Sequence, residues 1–167
     1  MGRILLPPTF EDFEGPLIFL AGPIKGALNW QGEAINLLQS LRPEDTIASP
    51  RTSDGTNYGS RFSDQQQAAQ IEWEFAHLER AMTHGVVLFW FAAEAQHFPE
   101  RAYAQQTRVE FGDALRMAAL GHARLVAGGE IGYPGLSTTK WRFNKMLRGH
   151  PFHDTLEATC RWALRIL

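Results

Sequence analysis

A glutamate whose position suggests a chemical role lies in the segment TRVEFGDAL, residues 107–115. Thr107 is predicted to cap a helix, which would put Glu110 at the third helical position. In one interpretation the two residues form a capping box, in which Glu110 reaches back to the Thr107 amide. In the other, the helix dipole keeps Glu110 ionised, and the carboxylate is a nucleophile towards an anomeric carbon. Gly112 would then allow a substrate or a neighbouring strand to approach closely. Spacing alone favours the cap.

Further acids lie in QIEWEFAHLERA, residues 70–81, within a helix predicted over 64–84 and capped near Asp64. Glu74 is expected to flank the buried side of this helix, and Glu72 and Glu79 its other edge. Periodicity cannot choose among the three, because most such glutamates lie on solvated helix faces. The stripe predicted to be buried consists of Ile71, Phe75, Leu78 and Met82.

The segment AGPIKGALNW, residues 21–30, follows an apolar run and precedes a helical pattern. Such a turn can present backbone amides to an anion or a sugar hydroxyl. It contains neither the Walker loop nor the Gly-x-Gly-x-x-Gly pattern, so a simple tight turn is the default interpretation.

Other chemistries find little support. The six histidines show no metal-binding spacing, and no Gly-x-Ser-x-Gly elbow indicates a serine hydrolase. Trp90, at the end of an apolar run, is interpreted as core or rim packing, with stacking on a nucleobase as the alternative.

The overall composition excludes several classes. Sixteen basic and 18 acidic residues are nearly balanced and scattered, so we expect no nucleic-acid polymer as a partner. No apolar segment approaches the length of a membrane span, and no signal peptide is predicted. The single cysteine, Cys160, suits a cytoplasmic location.

Apolar runs alternate with helical patterns along the chain. Continuous apolar runs are typical of parallel strands that are covered on both faces. We therefore predict an α/β fold, a three-layer doubly wound parallel sheet of five strands in a flavodoxin-like order. Residues 1–15 are expected to form an N-terminal arm, and residues 16–167 the domain. The strands are predicted at 16–22, 46–50, 85–91, 123–129 and 150–154, and the helices at 30–41, 64–84, 108–120 and 155–166.

Four segments, in this order, resemble the nucleoside 2-deoxyribosyltransferase-like family. They are the turn IFLAGPIKG, the helix and strand QIEWEFAHLERAMTHGVVLFWF, the helix start TRVEFGDAL, and the closing segments GGEIGYPGL and HDTLEATC. The resemblance implies that Glu110 is the nucleophile and that Glu74 assists the departing base. Asp64 is the alternative to Glu74 in this role. Ala104 stands where classical members have an aspartate, and Gln106 or Thr107 would replace its sugar contact.

The resemblance also implies substrate contacts in the first turn, at Gly22, Pro23, Ile24 and Lys25. Arg51 or Arg61, together with Lys25, could meet a phosphate. The implied reaction moves a ribosyl or deoxyribosyl group from a nucleoside or nucleotide to another nucleobase, without a metal or organic cofactor. A nucleoside 5'-monophosphate N-glycosidase and a non-catalytic nucleotide-binding module are the alternatives. A homodimer or higher homo-oligomer is expected, with residues 1–15 and 136–149 as candidate contacts.

Overall fold

The computed structural model describes residues 2–52 and 63–167. Within them the chain forms one parallel sheet of six strands, with five helices packed on it. The strands are β1 (Ile4–Leu5), β2 (Leu17–Ala21), β3 (Thr46–Ala48), β4 (Gly85–Phe91), β5 (Leu125–Gly129) and β6 (Phe152–His153). The helices are α1 (Trp30–Leu41), α2 (Asp64–His84), α3 (Gln105–Ala119), α4 (Leu136–Met146) and α5 (Leu156–Ile166).

The strand order is β1-β3-β2-β4-β5-β6, and every neighbouring pair is parallel. Strands β2 to β6 are the five predicted strands, and their order is the flavodoxin-like one, so the predicted fold class is confirmed. The predicted number of strands was one too low. Strand β1 has only two residues, and the prolines that follow it hid it from the sequence pattern.

The sheet has a helical layer on each face. Helices α2, α3 and α4 cover one face through a core that contains Trp73, Phe111 and Phe143. Helices α1 and α5 cover the other face around Leu38 and Cys160. Strands buried on both faces must be apolar throughout, which explains the continuous runs in the sequence.

Part of the predicted N-terminal arm contacts the chain's own domain. Ile4 and Leu5 pair with Ile47 and Ala48 of β3. The Thr9 carbonyl accepts a hydrogen bond from the Trp73 indole at 2.9 Å. The division of the chain at residue 15 stays a prediction.

The buried face of α2 differs from the predicted stripe. Ile71 and Phe75 are 54% and 62% exposed, whereas Trp73 and His77 are buried against the sheet. Leu78 is also buried, as expected. The stripe was wrong at Ile71 and Phe75 because equally apolar residues occupy both sides of this helix, and the indole of Trp73 fills the space above the sheet.

Helix α4 was not predicted from the sequence. Its segment LSTTKWRFNKM contains one buried residue, Phe143, so it carries almost no apolar periodicity. Helix α3 was predicted, but it begins three residues earlier than expected, at Gln105. This earlier start changes the position of Glu110 within the helix.

Candidate active site

A cleft of about 260 Å³ opens beyond the carboxyl ends of β2 and β4. The chain leaves β2 towards α1 on one face of the sheet and leaves β4 towards α3 on the other. This divergence is the topological switch point at which doubly wound proteins bind ligands. The described walls include the turn at residues 22–25, Pro50, helix α2, Arg101 of the loop before α3 and the start of helix α3.

Of the predicted site residues, eleven lie in the described part of the chain, and eight of these line this cleft. They are Gly22, Pro23, Ile24, Lys25, Glu74, Gln106, Thr107 and Glu110. The two acids therefore share one cavity, although 35 residues separate them in the chain.

Glu110 lies in the second turn of α3, because the helix begins at Gln105. The residue preceding the helix is Ala104, in a left-handed conformation with φ of 55°, and no side chain caps this helix end. The capping-box interpretation of Thr107 and Glu110 is therefore wrong. Thr107 is 4% exposed and lies inside the helix. A side chain at Gly112 would meet no atom of this chain within 4 Å, so close packing of a neighbouring strand does not explain that glycine.

Burial raises the pKa of Glu110 to about 7, against the opposing effect of a hydrogen bond from the Gln106 side chain. Gln106 precedes Glu110 by one helical turn, a spacing at which side chains on a helix meet. The result is a carboxyl group that titrates near neutral pH.

Glu74 lies on α2 and lines the same cleft. Burial raises its pKa to about 9, and the negative charge of Glu110 raises it further in the same direction. Its Oε1 accepts a hydrogen bond from Gln70 at 3.3 Å. Glu72 and Glu79 are exposed to solvent, so the structure makes the choice among the three glutamates that periodicity could not make.

Contacts with Trp30 and Trp90 hold the turn after β2 in place. The Pro23 carbonyl accepts a hydrogen bond from the Trp30 indole at 2.8 Å. A side chain at Gly22 would collide with the Trp90 carbonyl and lie 2.7 Å from the Trp30 ring. Glycine is therefore required there by packing. Lys25 lines the cleft, with its Nζ 4.6 Å from the centre of the Phe98 ring.

Arg51 does not line the cleft. Its Nε donates to Gln31 at 2.9 Å, and one terminal nitrogen donates to the carbonyls of Ile24 and Leu28, each at 3.2 Å. The guanidinium thus holds the β2–α1 loop in place. Arg61, the other predicted phosphate contact, lies outside the described residues.

Asp64 and Trp90 are also outside the cleft. Asp64 is exposed at the first position of α2, and the helix is capped by Ser63 in a capping box with Gln66. Trp90 is buried in the core on the α1 and α5 face, and its indole nitrogen donates to Glu130 at 3.2 Å. Its position supports the packing interpretation and gives no surface for a base to stack on.

Several residues of the site were not predicted from the sequence, among them Arg101, Pro50 and Gln70. Arg101 lines the cleft from the long loop before α3, where no pattern distinguishes it from other charged residues. Pro50 lines it from the end of the β3 segment. Gln70 contacts Glu74, and a signal for it existed: Gln70 precedes Glu74 by four residues, as Gln106 precedes Glu110.

In residues 2–52 and 63–167, no group of three or more His, Cys, Asp or Glu side chains could hold a metal ion. None of the helices that the structure describes is long and apolar enough to cross a membrane.

The fold and the cleft define an α/β protein of flavodoxin-like strand order, with two electrostatically coupled carboxyl groups at the switch point. The family described as nucleoside 2-deoxyribosyltransferase like matches residues 15–121. The chain belongs to this family, as its motifs predicted, and the description of the family points to a transferase-like enzyme. The match extends from β2 through α3 and includes both acids. A search of curated proteins found no match to the chain.

Proposed function

We propose that the protein cleaves the N-glycosidic bond of a nucleoside or nucleotide and transfers the ribosyl or deoxyribosyl group to another base. One observation carries this proposal: two carboxyl groups face one cleft, with pKa values of about 7 for Glu110 and about 9 for Glu74. At a pH between these two pKa values, Glu110 is ionised and Glu74 is protonated. Double-displacement glycosyl transfer requires this division between a nucleophile and a general acid.

In the first step the Glu110 carboxylate attacks the anomeric carbon. The bond between that carbon and the base nitrogen breaks, and its electron pair goes to the base, which takes the proton from Glu74. The products are a glycosyl ester on Glu110, an ionised Glu74 and the free base.

In the second step an acceptor base attacks the anomeric carbon of the ester. Glu74, now a carboxylate, takes the proton from the acceptor nitrogen, and the Glu110 carboxylate leaves. Two inversions at the anomeric carbon give overall retention. The reaction returns both acids to their starting protonation states and needs no metal or organic cofactor.

A nucleoside 5'-monophosphate N-glycosidase is the second candidate. Lys25 and Arg101 both line the cleft, and a phosphate monoester is the substrate group that two such cations would pair with. In this reaction water replaces the acceptor base in the second step, with Glu74 as its general base. Arg101 takes the place that the sequence had suggested for Arg51, because Arg51 is engaged with the β2–α1 loop.

We also propose a homo-oligomer, as the family resemblance implied. Support comes from three exposed apolar side chains on the two helices that form the cleft, namely Ile71 and Phe75 on α2 and Val109 on α3. Light scattering of the purified protein measures the molar mass directly. A mass of about 19 kDa at micromolar concentration, which is one chain, would contradict this part of the proposal.

The central test follows the release of base chromatographically from a panel of nucleosides and their 5'-monophosphates, with and without an added acceptor base. Base exchange into a new nucleoside supports the transferase. Release from monophosphates alone, without exchange, supports the hydrolase. Glu110→Ala serves as the inactive control. If the wild type binds a nucleotide but turns over no member of the panel, a non-catalytic binding module replaces both enzymatic readings.

A further inference from the structure

Gln70 is a buried polar residue next to Glu74. Its side chain is 6% exposed, and its Nε2 donates two hydrogen bonds, to the Pro50 carbonyl at 3.0 Å and to Glu74 Oε1 at 3.3 Å. A primary amide has two N–H donors on its nitrogen and none on its oxygen. Because a backbone carbonyl can only accept, the bond to Pro50 fixes which end of the amide is the nitrogen.

This arrangement joins two parts of the cleft. Gln70 and Glu74 are one turn apart on α2, whereas Pro50 follows β3 at the carboxyl end of the sheet. The amide is therefore anchored outside its own helix. An anchored amide restricts the rotation of the Glu74 carboxyl group as well as contacting it.

The bond to Oε1 has a consequence for a protonated Glu74. A neutral carboxyl group has one carbonyl oxygen, which accepts hydrogen bonds well, and one hydroxyl oxygen, which donates. An N–H that points at Oε1 favours the carbonyl form at that atom. The hydroxyl, and with it the transferable proton, is then on Oε2.

We propose that Gln70 is a positioning residue that keeps the transferable proton of Glu74 on Oε2. This inference rests on the proposed function, since it assigns a role in the cleavage step. As the glycosidic bond breaks, the proton passes from Oε2 to the departing base, and its bonding electrons stay on Glu74. The amide N–H continues to donate to Oε1 of the resulting carboxylate. In the second step the same Oε2 accepts the proton of the incoming nucleophile.

A merely structural role for Gln70 makes a different prediction. If the amide only ties α2 to Pro50, its loss weakens every reaction in the cleft equally. If it positions the proton, its loss slows the first turnover only where the leaving base needs that proton. A purine nucleoside methylated at N7 separates the two cases, because its base is already a cation and departs neutral without protonation.

The experiment compares base release in the first turnover, before the second step contributes, from a purine nucleoside and from its N7-methylated counterpart, in the wild type and in Gln70→Met. We expect the first-turnover rate on the unmethylated nucleoside to fall about 10-fold or more, a part of the effect of a general acid. Release from the methylated nucleoside should change less than about twofold, within the range of a small structural perturbation. Gln65→Met, an exposed glutamine on the same helix, is the matched control and should resemble the wild type on both.

Gln70→Leu is measured alongside, so that the result does not depend on the fold of one variant, and thermal unfolding is recorded for both. Activity retained on the methylated nucleoside itself shows that the cleft is intact. Equal losses on the two substrates, or no loss on either, would overturn the role of Gln70 while leaving the proposed function in place. A wild-type protein that releases base from neither nucleoside would overturn both.

Discussion

Glu74 on α2 and Glu110 on α3 occupy similar local settings with different outcomes. Each faces the same cleft, and each has a glutamine one turn earlier that hydrogen-bonds to it. Their helices begin differently: α2 has a complete capping box, whereas α3 starts after Ala104 in a left-handed conformation with no side-chain cap. The pKa of Glu74 is raised to about 9, and that of Glu110 only to about 7.

The comparison shows that spacing does not determine the protonation state of an acid. Burial is the largest cause of the raised pKa for both residues. The second-largest cause lowers the pKa of Glu110 but raises that of Glu74. The hydrogen bond from Gln106 favours ionised Glu110, and the charge of Glu110 in turn disfavours ionised Glu74. The pKa values of the two acids are thus held apart by their surroundings, which is a pattern of acid–base pairs in enzymes.

Loss of the Glu110 carboxylate, the proposed nucleophile, should give the largest effect. Glu110→Gln keeps the size of the side chain but cannot form the ester, so base release should fall by at least about 10³-fold on every substrate. Steady-state kinetics measure this loss, with Glu79→Gln, an exposed acid of α2, as the control for the same chemical change. Activity above a tenth of the wild-type value would remove Glu110 from the mechanism.

Glu74→Gln should separate the two acids by substrate. Base release from an unmethylated purine nucleoside should fall about 10²–10⁴-fold, the usual range for a lost general acid. With an N7-methylated nucleoside this variant should still form the glycosyl ester, because that nucleobase leaves without a proton. The later attack by the acceptor nucleobase lacks the general base that Glu74 supplies. We therefore expect a burst of released base and a glycosyl adduct detectable by intact-protein mass spectrometry. Glu72→Gln is the matched control, and equal loss on both substrates would contradict the division of roles.

The pH dependence should show the two pKa values as limbs of one curve. In the proposed mechanism activity needs ionised Glu110, so it should rise as pH increases through about 7. It also needs protonated Glu74, so it falls as pH increases through about 9. The kcat/KM profile of an unmethylated nucleoside should be bell-shaped with a maximum near pH 8, and the limbs report the coupled pair. With an N7-methylated nucleoside, the rate of the burst of base release should no longer fall at high pH. If that fall persists, a group other than Glu74 causes it.

The smallest effect concerns stability. The pKa of Glu74 is higher in the folded chain than in the unfolded one, so the folded state binds more protons between about pH 4.5 and 9. Stability from this group is therefore lost as pH rises through that window. Glu74→Gln removes the cost of holding an ionisable carboxyl group in this buried position. The substitution should raise Tm at pH 8 by about 2–4 °C, or about 1 kcal/mol for a domain of this size. Calorimetry at pH 5 and pH 8 checks the sign: the difference between variant and wild type should grow with pH.

The parts of the fold with strong periodicity could be read from the sequence. The bounds of β4, α1 and α2 agree with the prediction, because long apolar runs and clear helical patterns leave little choice. Helix α4 was missed because only Phe143 is buried, and β1 because two residues carry no pattern. The start of α3 was placed too late since Thr107 has the residue type of a cap, while its side chain is in fact buried.

The sequence by itself determined the order of strands and helices, the switch point that follows from that order, and the family to which the chain belongs. It did so because burial on both faces of a sheet and the period of a helix leave local marks on residue types. Only the tertiary structure decided which acids meet, that Arg51 supports a loop while Arg101 reaches the cleft, and that Gln70 contacts Glu74. Those relations depend on side chains from distant segments sharing one desolvated space, and no local pattern records which neighbours a buried charge will have.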